Sequence, residues 1–473
     1  MKKILTFILF ISMLVCQPII CTATADTSDD ASQNVTADAS TDSDDNASSD
    51  SDYDWPQGPS VDAEAAIVMD VNSGAVLYEK NADEKHYPAS ITKILTTLLC
   101  LENCSMDEMV TFSHNAVYNL DVGSSNIGIQ EGEQLTMEQC LYAIMLASAN
   151  ECSSAVAEHI GGSVDEFANM MNKKAISLGC TNSHFVNANG LHNDSHYTTA
   201  RDMALISRAA MQIPEFRTIV STKRYTIPPT NKHKDDNVFM NHHQMLVGNK
   251  YPQFYYDYCI GGKTGYTTVA GNTLVTFAEK DGITLLTVVM RAKAPDYKDN
   301  EYTDSTAMFD FVFDNFTSYD IANTASSIAE STDSPLFSKY NRIFDTENSP
   351  ITFDSSAKVL LPNDVDLNQA ERTIELYDTA KTEDDKNIIG SVTYTFGGKT
   401  VGLTNILFNP TSDEELTLKS PSEEFAKNIV QTVNRHNLKP LIMTVIFIVL
   451  FIIGILYYLF ARNTRKNTTT LHF

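Results

Sequence analysis

Strand-like runs stand at both ends of a long helical block, and this order limits the folds open to the chain. Residues 65–81 read AAIVMDVNSGAVLYEKN, two apolar runs joined by Asn72-Ser73-Gly74, which is a hairpin signal. Residues 91–215 then show helical spacing, as in MEQCLYAIMLASANECSSAVAEHIG and in VDEFANMMNKKAISLG, where Gly179 follows as a C-cap. Strand character returns at Tyr258-Cys259-Ile260 and runs through NTLVTFAEKDGITLLTVVMRA, with Lys280-Asp281-Gly282 as a second hairpin turn. Strands split by helices in this way predict one antiparallel sheet, assembled from the two ends of the block and covered by helices, an α+β class. The stretch from Asp304 to about Ser318 has helical spacing and is expected to pack back on that sheet.

The remainder of the 473 residues divides by composition. Residues 1–25 carry Lys2 and Lys3, an apolar stretch from Ile4 to Val15, and Ala23-Thr24-Ala25 as a small-residue cleavage site, the pattern of a secretory signal peptide. A lipoprotein reading of Cys16 or Cys21 has against it the bulky residues that precede each cysteine. Residues 26–55 hold ten aspartates and no Lys or Arg, a solvated spacer that buries no apolar surface. The folded enzyme-like domain is expected over 56–320, a Ser/Thr/Ala-rich linker over 321–349, and a small all-β module over 350–415, with Gly397-Gly398 at a turn. After a juxtamembrane stretch, 416–440, the apolar run Leu441 to Phe460 is long enough, at ~1.5 Å per residue, to cross the ~30 Å hydrocarbon core. Arg462, Arg465 and Lys466 follow it, so the tail 461–473 is expected in the cytoplasm and the bulk of the chain outside the cell membrane. The net charge of −26 leaves no basic face for phosphates, which excludes nucleic acid as a partner class.

Chemistry concentrates in HYPASITKILTTLLCLEN, residues 86–103. If a helix starts near Pro88, Ser90 and Lys93 share a face. A serine hydroxyl is a weak nucleophile until a base takes its proton. A lysine is such a base only when neutral, a state favoured by burial and by a second nearby cation. The spacing alone is weak, since Ser355 and Lys358 repeat it in the β-rich module. Downstream lie Ser148-Ala149-Asn150, within the helical block, and Lys263-Thr264-Gly265, after Gly261-Gly262 at the start of a strand. Ser-x-Asn also occurs at Ser32, Ser113 and Ser124, so it is the ordered set of three motifs that has weight.

That set, with the segments AAIVMDVNSGAVLYEKNADEKHYPASITKILTTLL, GSSNIGIQEGEQLTMEQCLYAIMLASANECSSAVAEHIGG, FVNANGLHNDSHYTTARDMALISRAAM and GGKTGYTTVAGNTLVTFAEKDG, resembles the low-molecular-mass penicillin-binding proteins, the serine D-alanyl-D-alanine carboxypeptidases. The resemblance covers about residues 60–315 and implies a β-lactamase/transpeptidase-like fold with a small β domain and a membrane anchor behind it. It implies that Ser90 attacks the terminal D-Ala-D-Ala carbonyl of a peptidoglycan stem peptide, with Lys93 as proton acceptor. Ser148 would relay a proton to the leaving amine and Asn150 would hold the substrate amide. Lys263 would supply the second cation, Thr264 would help bind the terminal carboxylate, and Gly265 belongs to the same substrate-binding strand. Backbone N–H groups of Ser90 and Tyr266 would form the oxyanion hole. Family members often place an arginine beyond this strand, where the present chain offers Lys298. β-Lactams are implied as covalent inhibitors, and no cofactor or metal is implied. A D,D-endopeptidase using the same site, a β-lactamase, and a wall-binding protein with a relic site are the competing readings.

Several other clusters are assigned no chemistry. His184, His192 and His196, the His242-His243 pair, and Glu166 are read as structural or surface positions. Cys100 and Cys104 lack a second cysteine or histidine pair at zinc spacing. The six cysteines beyond the leader are compatible with one or two bridges or with isolated thiols.

Overall fold

The computed structural model describes residues 55–248, 251–292, 300–321, 351–354, 357–383 and 386–408. The expected signal peptide, nearly all of the acidic spacer, most of the linker over 321–349, the juxtamembrane stretch, the 441–460 span, the tail and Lys298 lie outside the described residues. Among those described, no helix is long and apolar enough to cross a membrane.

The central sheet is antiparallel and is built from both ends of the helical block, as the strand distribution predicts. It comprises β1 (Ala65–Asp70), β2 (Val76–Lys80), β3 (Cys259–Thr267), β4 (Gly271–Lys280) and β5 (Ile283–Ala292). Their spatial order is β2-β1-β5-β4-β3. Both predicted hairpins form. At the first, Asp70 accepts from the backbone N–H and hydroxyl of Ser73, both at 2.6 Å, an Asx-type turn that places Gly74 at φ +77°.

Alternation along the strands sends successive side chains to opposite faces, and here both faces are apolar. Ile67, Met69, Val275, Phe277, Leu286 and Val288 enter one core, while Ala66, Val68, Leu274, Ala278, Leu285 and Val289 enter the other. Burial on both faces is why the β5 sequence ITLLTVVMRA reads as a nearly continuous apolar run.

The first face is covered by the helical block: α1 (Lys93–Asn103), α2 (Met137–Leu146), α3 (Asn150–Gly161), α4 (Val164–Ser177), α5 (Ala200–Ala210) and α6 (Pro214–Ser221). Several begin on polar caps. Thr136 and Gln139 form a capping box on α2, Ser163 accepts from the Glu166 N–H on α4, and Thr199 accepts from the Asp202 N–H on α5. Gly179, just past α4, takes φ +87°, the left-handed conformation expected of a C-cap. The opposite face receives α7 (Asn300–Asn315), whose Met308, Phe309 and Val312 are fully buried.

The β-rich region pairs into two further sheets. Strand β6 (Phe316–Asp320) leaves α7 and runs antiparallel to β8 (Lys358–Pro362), while β7 (Ile351–Phe353), β9 (Glu371–Glu383), β10 (Lys386–Phe396) and β11 (Lys399–Phe408) form a sheet in the order β7-β11-β10-β9. Val359, Leu361, Val392, Tyr394, Val401 and Ile406 close a core between them. Gly397 and Gly398 sit at the predicted turn with φ of +55° and +72°. Trp55 bridges this core and the second face of the central sheet, with its ring 5.2 Å from that of Phe316 and 4.7 Å from the Lys399 ammonium. Lys358, the lysine of the duplicate Ser-x-x-Lys spacing, donates to the Gly282 carbonyl at 2.8 Å, and Ser355 lies outside the described residues.

Candidate active site

The loop that carries Ser90 is a 3-10 turn, Ala89–Thr92, running directly into α1 with Pro88 as its N-cap. Ala89 has φ +52°, costly for a residue with a Cβ, and the surroundings hold it there. Thr273 on β4 donates to the Pro88 carbonyl at 2.8 Å. A Cβ at Gly190 would fall 1.9 Å from the Ala89 carbonyl oxygen, so only glycine lets that loop reach the turn, and its φ of +83° agrees.

Lys93 is fully buried in the first turn of α1, and all its partners are oxygens. Its ammonium lies 3.1 Å from Ser90 Oγ, 2.7 Å from Asn150 Oδ1 and 2.5 Å from the Asn189 carbonyl. Burial lowers its pKa well below the ordinary lysine value and the nearby Lys263 charge lowers it further, while Glu151 opposes both. The second cation demanded by the sequence argument is therefore present. Lys263, itself 1% exposed in the middle of β3, is pushed down to about 7 by burial. It donates to Ser148 Oγ at 3.1 Å and to the Thr264 carbonyl at 2.8 Å.

Ser148 reaches Lys263 because the polypeptide breaks between α2 and α3. The continuous helical pattern expected over MEQCLYAIMLASANECSSAVAEHIG is in fact two helices, separated at Ala147-Ser148-Ala149, with Ser148 at φ +59°. The break places Asn150 at the first position of α3, turned toward Lys93. Beside it, the buried Glu151 carboxylate accepts from the Ile127 N–H at 2.6 Å and ties down the preceding loop, whose Ser125 carbonyl accepts from the Asn150 N–H. On the facing strand, Gly265 packs so closely that a Cβ there would sit 2.3 Å from Thr273 Oγ1 and 2.9 Å from the Ser90 nitrogen. Tyr266, next along β3, is 67% exposed.

Five of the nine residues singled out from sequence thus come together in two hydrogen-bonded sets, Ser90 and Asn150 on Lys93 and Ser148 on Lys263, with the two lysines within reach of each other's charge. Thr264 and Gly265 line the same strand, Tyr266 continues it into solvent, and Lys298 lies outside the described residues. Sequence reasoning missed the third wall, Asn187-Ala188-Asn189-Gly190. Here Asn187 Oδ1 accepts from the Gly190 N–H at 2.7 Å, Asn189 Oδ1 accepts from the Leu191 N–H, and the Asn189 carbonyl is freed for Lys93. The alternation Asn-Ala-Asn-Gly was the available signal, a turn composition. His196 supports the same region. The Val186 N–H donates to its Nδ1, leaving Nε2 to donate to Thr92 Oγ1 at 2.9 Å, and burial depresses its pKa to about 3, so it acts as a neutral strut. His243 lies under Gly262 with Nε2 3.0 Å from Thr276 Oγ1 and is likewise held down to about 3 by burial. Glu166 is exposed in the first turn of α4. All six described cysteines are free thiols, which leaves the isolated-thiol alternative and not the bridged one.

A hydroxyl hydrogen-bonded to a lysine that burial and a neighbouring cation keep poor in protons is the site of a serine acyl-transfer enzyme. Residues 53–294, just over half of the chain, match the D-alanyl-D-alanine carboxypeptidase family, and the chain belongs to that family. It is a serine-type hydrolase of the penicillin-binding class. D-alanyl-D-alanine carboxypeptidase DacF of Bacillus subtilis is 29% identical over 67% of this chain and 77% of its own length. DacC of Escherichia coli is 34% identical, over 52% of this chain and 60% of its own length. Among solved structures, penicillin binding protein 5 from Haemophilus influenzae superposes with a TM-score of 0.56 at 25% identity, covering 75% of this chain and 98% of that one. The Streptomyces K15 DD-transpeptidase superposes with a TM-score of 0.50 at 29% identity, covering 55% and 100%.

Proposed function

We propose that this chain is a D,D-carboxypeptidase that removes the terminal D-Ala from peptidoglycan stem pentapeptides through an acyl-enzyme on Ser90. The observation that supports it most is the 3.1 Å approach of Ser90 Oγ to the ammonium of a fully buried Lys93, with a second buried lysine behind it. Lys93, neutral, takes the hydroxyl proton as Ser90 Oγ attacks the D-Ala carbonyl. Backbone N–H groups of Ser90 and Tyr266 receive the oxyanion, in keeping with the close packing of Gly265 on the Ser90 turn. The proton passes through Ser148 to the leaving amine, while Lys263 and Thr264 attract the terminal carboxylate. Asn150 aligns both Lys93 and the substrate amide. Water then releases the shortened peptide and returns Ser90 Oγ its proton. A β-lactam presents a similar carbonyl and carboxylate, so it acylates the same oxygen. The leader expected over 1–25 and the apolar run 441–460, both read from sequence, support a setting on the outer face of the cell membrane, with Lys298 as a candidate for the substrate carboxylate.

The test is mass spectrometry of a pentapeptide muropeptide and of a cross-linked dimer after incubation with the full chain in detergent. Loss of one alanine from the pentapeptide is expected, together with a stoichiometric benzylpenicillin adduct, both absent from Ser90→Ala. Cleavage of the dimer alone would make the enzyme an endopeptidase.

A further inference from the structure

Away from the catalytic cleft, the far ends of two catalytic helices converge on a second group of chemically reactive side chains. Helix α1 begins with Lys93 and is C-capped by Cys104, and α3 begins with Asn150 and carries His159 in its last turn. Glu108, in the turn that follows Cys104, lies between them. One ligand atom from each of Cys104, Glu108 and His159 falls within 4.8 Å of the other two.

We propose that Cys104, Glu108 and His159 form a zinc site that staples the distal ends of α1 and α3. The donor set is a thiolate, an imidazole and a carboxylate, the mixture that tetrahedral zinc accepts, at about 2.3 Å for sulfur and 2.0–2.2 Å for nitrogen and oxygen. Closing the group around an ion needs side-chain movements of about 1 Å, and Glu108 and His159 are exposed enough to make them. The Glu108 backbone is already pinned, its N–H donating to Ser105 and its carbonyl accepting from Met137. Two helix C-termini meet here, and the negative ends of their dipoles favour a cation. In the absence of metal the Glu108 carboxylate accepts from His159 Nε2 at 2.8 Å, and burial together with Glu108 pushes the Cys104 thiol up to about 11. Zinc therefore displaces the thiol proton to solvent. Thiolate, carboxylate and neutral imidazole then balance the two positive charges, with a water as fourth ligand. His159 follows Cys104 by 55 residues, which is why no zinc spacing is legible in the sequence.

The experiment uses the full chain purified without a histidine tag and stripped with EDTA. Cobalt(II) is expected to bind one per chain with a near-ultraviolet thiolate charge-transfer band, and zinc at about a hundredfold excess over Kd to raise Tm by roughly 5–10 °C. The other described cysteines are buried, so Cys104→Ser should abolish the band. His159→Ala should weaken zinc at least about a hundredfold. Both variants should keep benzylpenicillin acylation, and that separates this site from the catalytic reading. Cobalt binding with no thiolate band, or a Tm rise that persists in Cys104→Ser, would overturn the proposal.

Discussion

Lys93 and Lys263 are two ammonium groups taken out of water within reach of each other's charge, and their protonation sets the pH response. In the proposed mechanism acylation requires Lys93 neutral, so the rate is expected to fall toward acid as Lys93 gains its proton. Lys263, held to about 7 by burial, loses its charge as pH rises through that value and with it the attraction for a ligand carboxylate. The expected profile of benzylpenicillin acylation is a bell whose alkaline limb falls through about 7, with its acid limb set by Lys93. Lys263→Arg, which stays charged, should carry the alkaline limb upward. An alkaline limb unmoved in that variant would take Lys263 out of the role. Lys93→Ala should cost about 10²–10⁴ in acylation rate, measured by stopped-flow with a chromogenic cephalosporin, because the proposed general base is gone while the proposed nucleophile remains. At this scale the sequence was legible through residue types at motif spacings. What it could not convey is the strain: Ala89 at φ +52° and Ser148 at φ +59° are conformations that only packing enforces.

The elements were read well where periodicity is strong and poorly where a helix is interrupted for function. The run from Met137 to Gly161 contains no Pro or Gly that would mark a break before its end, so its helical pattern continues through the residues that the fold turns aside. The loop 187–190 shows the reverse case, a turn composition whose placement at the site is disclosed only by its contacts with Ala89 and Lys93. Gly190→Ala is expected to destabilise the fold by about 2–4 kcal/mol, from the left-handed φ and from a Cβ forced against the Ala89 carbonyl. Chemical denaturation would measure it, with acylation falling in parallel because the Ser90 turn is displaced. Unchanged stability would mean that the loop moves away freely.

Across the whole molecule, the central sheet depends on strands about 200 residues apart, since β1 lies between β2 and β5. The early hairpin and the late three-strand meander together complete one sheet, joined where β1 pairs with β5. The β-rich lobe is joined to it through β6, through Lys358 on Gly282, and through Trp55, the chain's single tryptophan. Trp55 is half-buried between two cores, with its indole N–H 3.4 Å from the Leu77 carbonyl. Trp55→Ala is expected to lower stability by about 2 kcal/mol, less than for a fully buried aromatic, while leaving acylation at low temperature intact. Differential scanning calorimetry beside a penicillin-binding assay would check both halves. Loss of acylation without loss of stability would show that the seam communicates with the site.

The sequence by itself determined the α+β class, the two hairpins, the ordered Ser90, Lys93, Ser148, Asn150 and Lys263 set, and hence the family. These follow from local physics: alternation, helical spacing, turn residues and short motif distances are all properties of neighbours along the chain. Only the tertiary structure decided that Lys93 is buried against the Asn189 carbonyl, that the α2–α3 break aims Ser148 at Lys263, and that Cys104 meets His159. Those relations depend on desolvation and on packing between distant segments, and neither is written in the order of nearby residues.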